Sequence, residues 1–177
     1  MSRMHYSIEH VKKILYKYKL ILDECFYSPF IAGSVYRNKK NVHDIDLIAK
    51  SFKDQKLFYN IFGISIVRKN KYFVSLKIKL DGVPLNILLC KKHNYYIMTK
   101  FLLKGPASFV IYLINLAEKK GYWLTHLGFV EKTSNAPSKA IETLLVKDKT
   151  KKRVISFKTE KQIIQFLDLK KHRKEFI

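Results

Sequence analysis

Acidic side chains are scarce in this sequence. Only 14 Asp and Glu stand against 35 Lys and Arg in 177 residues, a formal net charge of +21. So positive a field favours a polyanionic partner. Nucleic acid comes first, because Lys and Arg neutralise phosphate whatever the base sequence. An acidic membrane surface is the rival, but no amphipathic basic anchor stands apart from the rest. The two cysteines, Cys25 and Cys90, are too few for a disulfide framework or a cysteine zinc site, and they read as reduced thiols in an intracellular protein. The six histidines form no H-x-x-x-H pair, so zinc is not expected. No apolar run reaches the ~18 residues of a spanning helix, and "MSRMHYSIEHVKK" lacks the apolar region of a signal peptide. No membrane is expected as a partner. Internal repeats and low-complexity linkers are also missing. What is present is 47% hydrophobic and 14% aromatic residues, enough to bury a sizeable core.

Residues 7 to 24 predict a helix capped by Ser7, with Ile8, Val11, Ile14, Leu15, Tyr18, Ile21 and Leu22 at three- and four-residue steps. "SPFIAG" predicts a short strand ending at Gly33, "SVYRNKK" a turn or short helix, and "VHDIDLIAK" a strand. Period two puts Asp44, Asp46 and Ile48 on one strand face. "FYNIFGISIVRKN" predicts a helix end, a turn and a strand. Two apolar runs around Asp81-Gly82 predict a hairpin, with Asn86 turned away from Val83, Leu85, Ile87 and Leu89. A helix follows Gly105 and stops at Gly121. Short strands are expected at Tyr122–Leu124, Leu127–Val130, Thr143–Val146 and Val154–Ile155. A last helix, "TEKQIIQFL", opens with capping-box spacing at Thr159 and Gln162. Gly105-Pro106 suggests a boundary between 1–104 and 105–177.

Asp44 and Asp46, at i and i+2 on a strand, can grip one or two hard divalent cations through oxygen. Eleven residues before Asp44, Gly33-Ser34 opens a turn whose backbone N–H groups suit an anion. Arg37 can clamp a terminal phosphate bidentately. Alone, a D-x-D is more often a solvated strand end and a Gly-Ser more often a plain turn. In this order and spacing they describe two-metal phosphoryl or nucleotidyl transfer.

"GSVYRNKK…HDIDLI" resembles the GS-x-x-R…D-x-D signature of family X DNA polymerases, members of the nucleotidyltransferase superfamily. "FLLKGPASFVIYLINLAEKKGYWLTHLGFV" is similar to the family's nucleotide-binding helix and following strand pair, and "TEKQIIQFLDLKKHRKEF" to its terminal segment. The likeness runs from about residue 28 to 175, in order, and is strongest to the family's minimal viral form of palm and C-terminal subdomain. It implies an α+β fold: a nucleotidyltransferase palm (mixed sheet with helices) plus a small α+β C-terminal subdomain. It implies Gly33, Ser34 and Arg37 as the triphosphate cradle, Asp44 and Asp46 as ligands of two Mg²⁺ ions (Mn²⁺ as an alternative), and Gly105 against the nucleotide's sugar. Template-directed gap filling in base excision repair follows, with dNTP and gapped or nicked duplex DNA as ligands and a DNA ligase as a candidate partner. A monomer is expected, intracellular or, for a viral protein, in host cytoplasm and virion.

The family's third carboxylate falls here on Asn86, nineteen residues before Gly105. Asparagine offers a carbonyl oxygen but no charge, and it cannot accept the primer hydroxyl's proton. Asp81, the only acid between Asp54 and Glu118, is explained by its hairpin turn. Asn86 therefore impairs turnover, through an introduced Asp→Asn change or a natural loss. A non-catalytic nucleic-acid-binding relative and a template-independent transferase are the alternatives. Between Lys147 and Glu175, eleven Lys or Arg face four acids. The usual fate of such a run is a solvated basic face. In this family such a lobe cradles DNA, with Lys119, Lys120, Lys151, Lys152, Arg153 and Arg173 as first candidates. Leu102-Leu103 replace the family's aromatic pair beside the sugar.

Overall fold

The computed structural model describes residues 4–63, 66–70, 72–132 and 154–169. The chain divides into two compact units, Met1–Tyr96 and Ile97–Ile177. The division falls inside a helix rather than at Gly105-Pro106.

In the first unit, β1 (Tyr6–Ser7) leads into α1 (Ile8–Cys25), whose N-terminus is closed by the Ser7 side chain accepting from the His10 N–H. Val11, Ile14, Leu22 and Cys25 form its buried stripe. After it come β2 (Phe26–Tyr27), β3 (Phe30–Ala32), the single turn α2 (Gly33–Tyr36), β4 (Asn41–Val42), β5 (Ile45–Ala49) and β6 (Ser51–Phe52). Asp54 caps α3 (Gln55–Phe62) by accepting from the Leu57 N–H. Gly63, at φ 74°, ends that helix before β7 (Ile66–Lys69).

β8 (Phe73–Leu80) and β9 (Val83–Cys90) make the expected hairpin. Leu80 pairs with Val83, and Asp81 and Gly82 both take left-handed φ values of 47° and 86°. That pair of angles suits a two-residue turn whose twist matches the strands. The tip is tied down at a distance in sequence: Lys17 Nζ and Tyr18 Oη donate to the Asp81 carboxylate, and Tyr6 Oη donates to the Gly82 carbonyl.

The main sheet runs β3-β5-β9-β8-β7, with β5 and β9 parallel and the other neighbours antiparallel. β1 pairs with β4 and β2 with β6 as short side ribbons. One sheet face carries Leu47, Leu76, Leu85 and Ile87, which join α1 and Phe58 of α3 in the core. A mixed sheet with helices is the expected fold class.

α4 (His93–Lys104), which the sequence reading left unassigned, carries apolar side chains on much of its circumference and so shows no clear stripe. Its Met98, Phe101 and Leu102 belong to the core of the second unit, with Leu113 and Ala117 of α5 (Ala107–Lys119). β10 (Tyr122–Thr125), β11 (Gly128–Glu131) and β12 (Val154–Ile155) form an antiparallel sheet. α6 (Glu160–Phe166) starts with the expected capping box between Thr159 and Gln162 and buries Ile163. Lys104 Nζ donates to Glu160 at 2.7 Å. The strand expected at Thr143–Val146 lies outside the described residues.

Candidate nucleotide and metal site

The amino end of the parallel pair β5 and β9 gathers the polar side chains. Asp44 directly precedes β5, Asp46 is its second residue, and Asp46 and Asn86 are register partners across the two strands. Their neighbours Ile45, Leu47, Leu85 and Ile87 are buried, so alternation turns Asp46 and Asn86 to the other face. Asn86 Nδ2 donates to Asp44 Oδ2 at 2.8 Å and reaches Asp46 Oδ1 at 3.4 Å. The two carboxylates thus converge on the amide of the third position.

Antiparallel pairing of Ala32 with Asp46 brings the β3–α2 turn to the same place. Gly33 has φ 65°, and a Cβ built on it would strike Asp46 Oδ2. Only glycine supplies both the left-handed backbone and the space. α2 is one turn long, so it has little macrodipole to offer; its contribution is the local N–H groups at Gly33 and Ser34. Arg37 closes the turn, its N–H donating to the Gly33 carbonyl at 3.3 Å. Its charge acts on Asp46. Burial, then the neighbouring Asp44 charge, push the Asp46 carboxyl above its ordinary value, while the Asn86 hydrogen bond and Arg37 pull it back.

The donor set suits a hard divalent cation: two converging carboxylates, with an amide whose carbonyl oxygen faces them once the group rotates. Among the described residues no group of three or more His, Cys, Asp or Glu gathers as a metal cluster. Asn86 stands where a third anionic ligand would complete one. The residues fit one Mg²⁺ or Mn²⁺ well and supply little charge for a second.

The structure therefore brings together Gly33, Ser34, Arg37, Asp44, Asp46 and Asn86 in the first unit. Gly105, Lys119 and Lys120 belong to the second. Gly105 precedes α5 and is packed so closely on Phe109 that a Cβ would collide with the ring. Lys120 Nζ donates to Asp168 at 3.2 Å and lies over the Phe166 ring. Lys151, Lys152, Arg153 and Arg173 lie outside the described residues. His43, adjacent to Asp44, packs against His5 with ring centroids 4.0 Å apart and planes tilted by 44°, and its Nδ1 lies 3.1 Å from the Met4 carbonyl. The sequence reading gave no role to His5, whose only signal is its ring partner across 38 residues.

The fold is polymerase-beta-like. Among solved structures, the chain is similar to Leishmania infantum polymerase beta in a ternary P/T complex, with a TM-score of 0.56 and 13% identity over 93% of this chain and 73% of that one. No family model matches the chain, and no curated protein matches it. No helix among the described residues is long and apolar enough to cross a membrane.

Proposed function

We propose that the chain is a family X DNA polymerase in design, built for template-directed filling of short DNA gaps, whose turnover is impaired by Asn86. The single observation behind this reading is the convergence of Asp44, Asp46 and Asn86 beside the Gly33-Ser34 turn. Gly33, Ser34 and Arg37 hold the triphosphate of a dNTP through backbone N–H groups and a guanidinium. Asp44 and Asp46 hold Mg²⁺, or Mn²⁺ in its place. When bound there, the ion supplies charge neutralisation for the phosphates and acidifies the primer hydroxyl. Gly105 lies against the nucleotide sugar. Lys119, Lys120, Lys151, Lys152, Arg153 and Arg173 bind the backbone of gapped or nicked duplex DNA. Residues 1–104 and 105–177 serve as palm and C-terminal subdomain, as in the minimal viral form of the family.

Asn86 sets the limit. Its amide cannot take the primer hydroxyl's proton, and it leaves the site one negative charge short. Its N–H group donates to Asp44 at 2.8 Å and reaches Asp46 at 3.4 Å. That arrangement favours a second reading, a nucleotide- and DNA-binding relative without turnover.

Primer extension on a one-nucleotide gap, with Mg²⁺ and dNTPs, compares this chain with Asn86→Asp. Extension by Asn86→Asp at least 100-fold faster than by the native chain is expected, the usual scale for loss of a positioned acid or base. If neither extends the primer while both bind gapped DNA tightly, the polymerase reading fails and the binding reading stands.

A further inference from the structure

At the other end of the same two strands, and on the opposite face, the first unit has a groove of about 320 Å³. Its floor is Val74 and Leu89, which are register partners; Lys69 pairs with Val74 at the sheet edge. Alternation along β9 puts Leu89 on the face opposite Asn86. Lys50, which also lines the groove, is four residues beyond Asp46, about 13 Å along a strand. The groove is therefore separate from the carboxylate site.

Its wall is aromatic and its rim is cationic. Phe52 and Tyr59 line one side. The Phe52 and Phe58 rings cross Tyr59 at 69° and 60° rather than stacking on it. Tyr59 Oη accepts from Gln55 Nε2 at 2.9 Å, which leaves the phenol proton to donate. Lys50, Lys69 and Lys91 line the groove, Lys50 Nζ also lying over the Tyr96 ring at 5.6 Å, and among the described residues no carboxylate does. The nearby Asp54 is engaged in capping α3, accepting from Leu57 at 2.8 Å. Lys91 Nζ donates to the Asn70 carbonyl, which steadies it at the rim. An apolar floor, a half-buried tyrosine ring and three ammonium groups match a flat heterocycle carrying phosphate.

We propose that this groove binds a nucleotide, base against Tyr59 and phosphate on the three lysines, independently of the carboxylate site. The same chemistry is presented by a free nucleotide and by one unpaired nucleotide of a single strand. The full chain, with Val and Leu methyls labelled for NMR, is titrated in EDTA with dT8, with dATP and with inorganic tripolyphosphate. Shifts of the Val74 and Leu89 methyls with dT8 alone assign the source to a single strand, and shifts with dATP alone assign it to free nucleotide. Either supports the proposal. Lys69→Glu is expected to weaken the affinity read from those methyls about tenfold more than Lys13→Glu, an equal charge change on the exposed face of α1. Tyr59→Leu is expected to weaken dT8 or dATP but not tripolyphosphate. Asp46→Asn leaves groove binding unchanged, so its outcome is independent of the polymerase reading. Methyls that stay still with both dT8 and dATP, tripolyphosphate shifts matching theirs, or Lys13→Glu equalling Lys69→Glu would each overturn it.

Discussion

Gly33 and Asp46 are packed so closely that the glycine's missing side chain is what the aspartate occupies. A Cβ at position 33 would overlap Asp46 Oδ2, and the backbone there has φ 65°. The turn that offers N–H groups and the strand that offers the carboxylate are fitted to each other.

Gly33→Ala therefore strains the backbone and pushes the carboxylate aside. A loss of about 1–3 kcal/mol in urea denaturation is expected. Mg²⁺-dependent dNTP binding, followed by calorimetry, is expected to fall at least tenfold, whereas Ser34→Ala leaves stability nearly unchanged.

The Asp46 carboxyl is raised above 3.8, first by burial and then by Asp44. A group that holds its proton more tightly folded than unfolded makes stability fall as pH rises through the window that opens at the unfolded value. Denaturant melts from pH 4 upward should show this fall, and Asp46→Asn should flatten it. Unchanged slopes would remove the site's electrostatic tension.

The opposite sign belongs to Asp81. Hydrogen bonds from Lys17 and then Tyr18 hold its carboxyl below 3.8. Its stabilising effect is present above the unfolded value and lost as pH falls through the lower folded one. Asp81→Asn, which tolerates the left-handed backbone at φ 47°, is expected to blunt acid sensitivity in melts between pH 2 and 4. The neutral-pH turn should stay intact.

Burial pushes the Cys25 thiol up to about 11, with the Asp54 and Glu24 charges adding to it. Cys90 is buried as well. Neither should react with a disulfide reagent at pH 8 in the native state, and both should react once the chain is unfolded. A thiol count in native buffer checks this.

Most of the candidate site was legible in the sequence because each part has a local signal. Alternation around Asp44 and Asp46, the Gly33-Ser34 turn and the Asp81-Gly82 hairpin all follow from spacing within a few residues. The hairpin even placed Asn86 on the correct face. The close pairing of Asp46 with Asn86 was different, because it depends on β9 lying parallel to β5 and in one register, a non-local fact. α4 escaped because apolar residues spread around its circumference. The side ribbons β1–β4 and β2–β6 escaped because two-residue strands carry no period. The groove under Tyr59 is assembled from β6, α3, β7, β8 and β9, and no window of sequence contains it.

The parallel register of β5 and β9 also works as a proofreader. A slip of β9 by one residue would swing Asn86 into the core and present Leu85 or Ile87 to the two aspartates, stranding a polar amide in oil and leaf-like apolar side chains in water. Misaligned chemistry and misfolded core are thus the same event. Evolution can edit the letter at position 86 and so change what the site does, while the buried residues on either side keep whatever is written there aimed at Asp44 and Asp46.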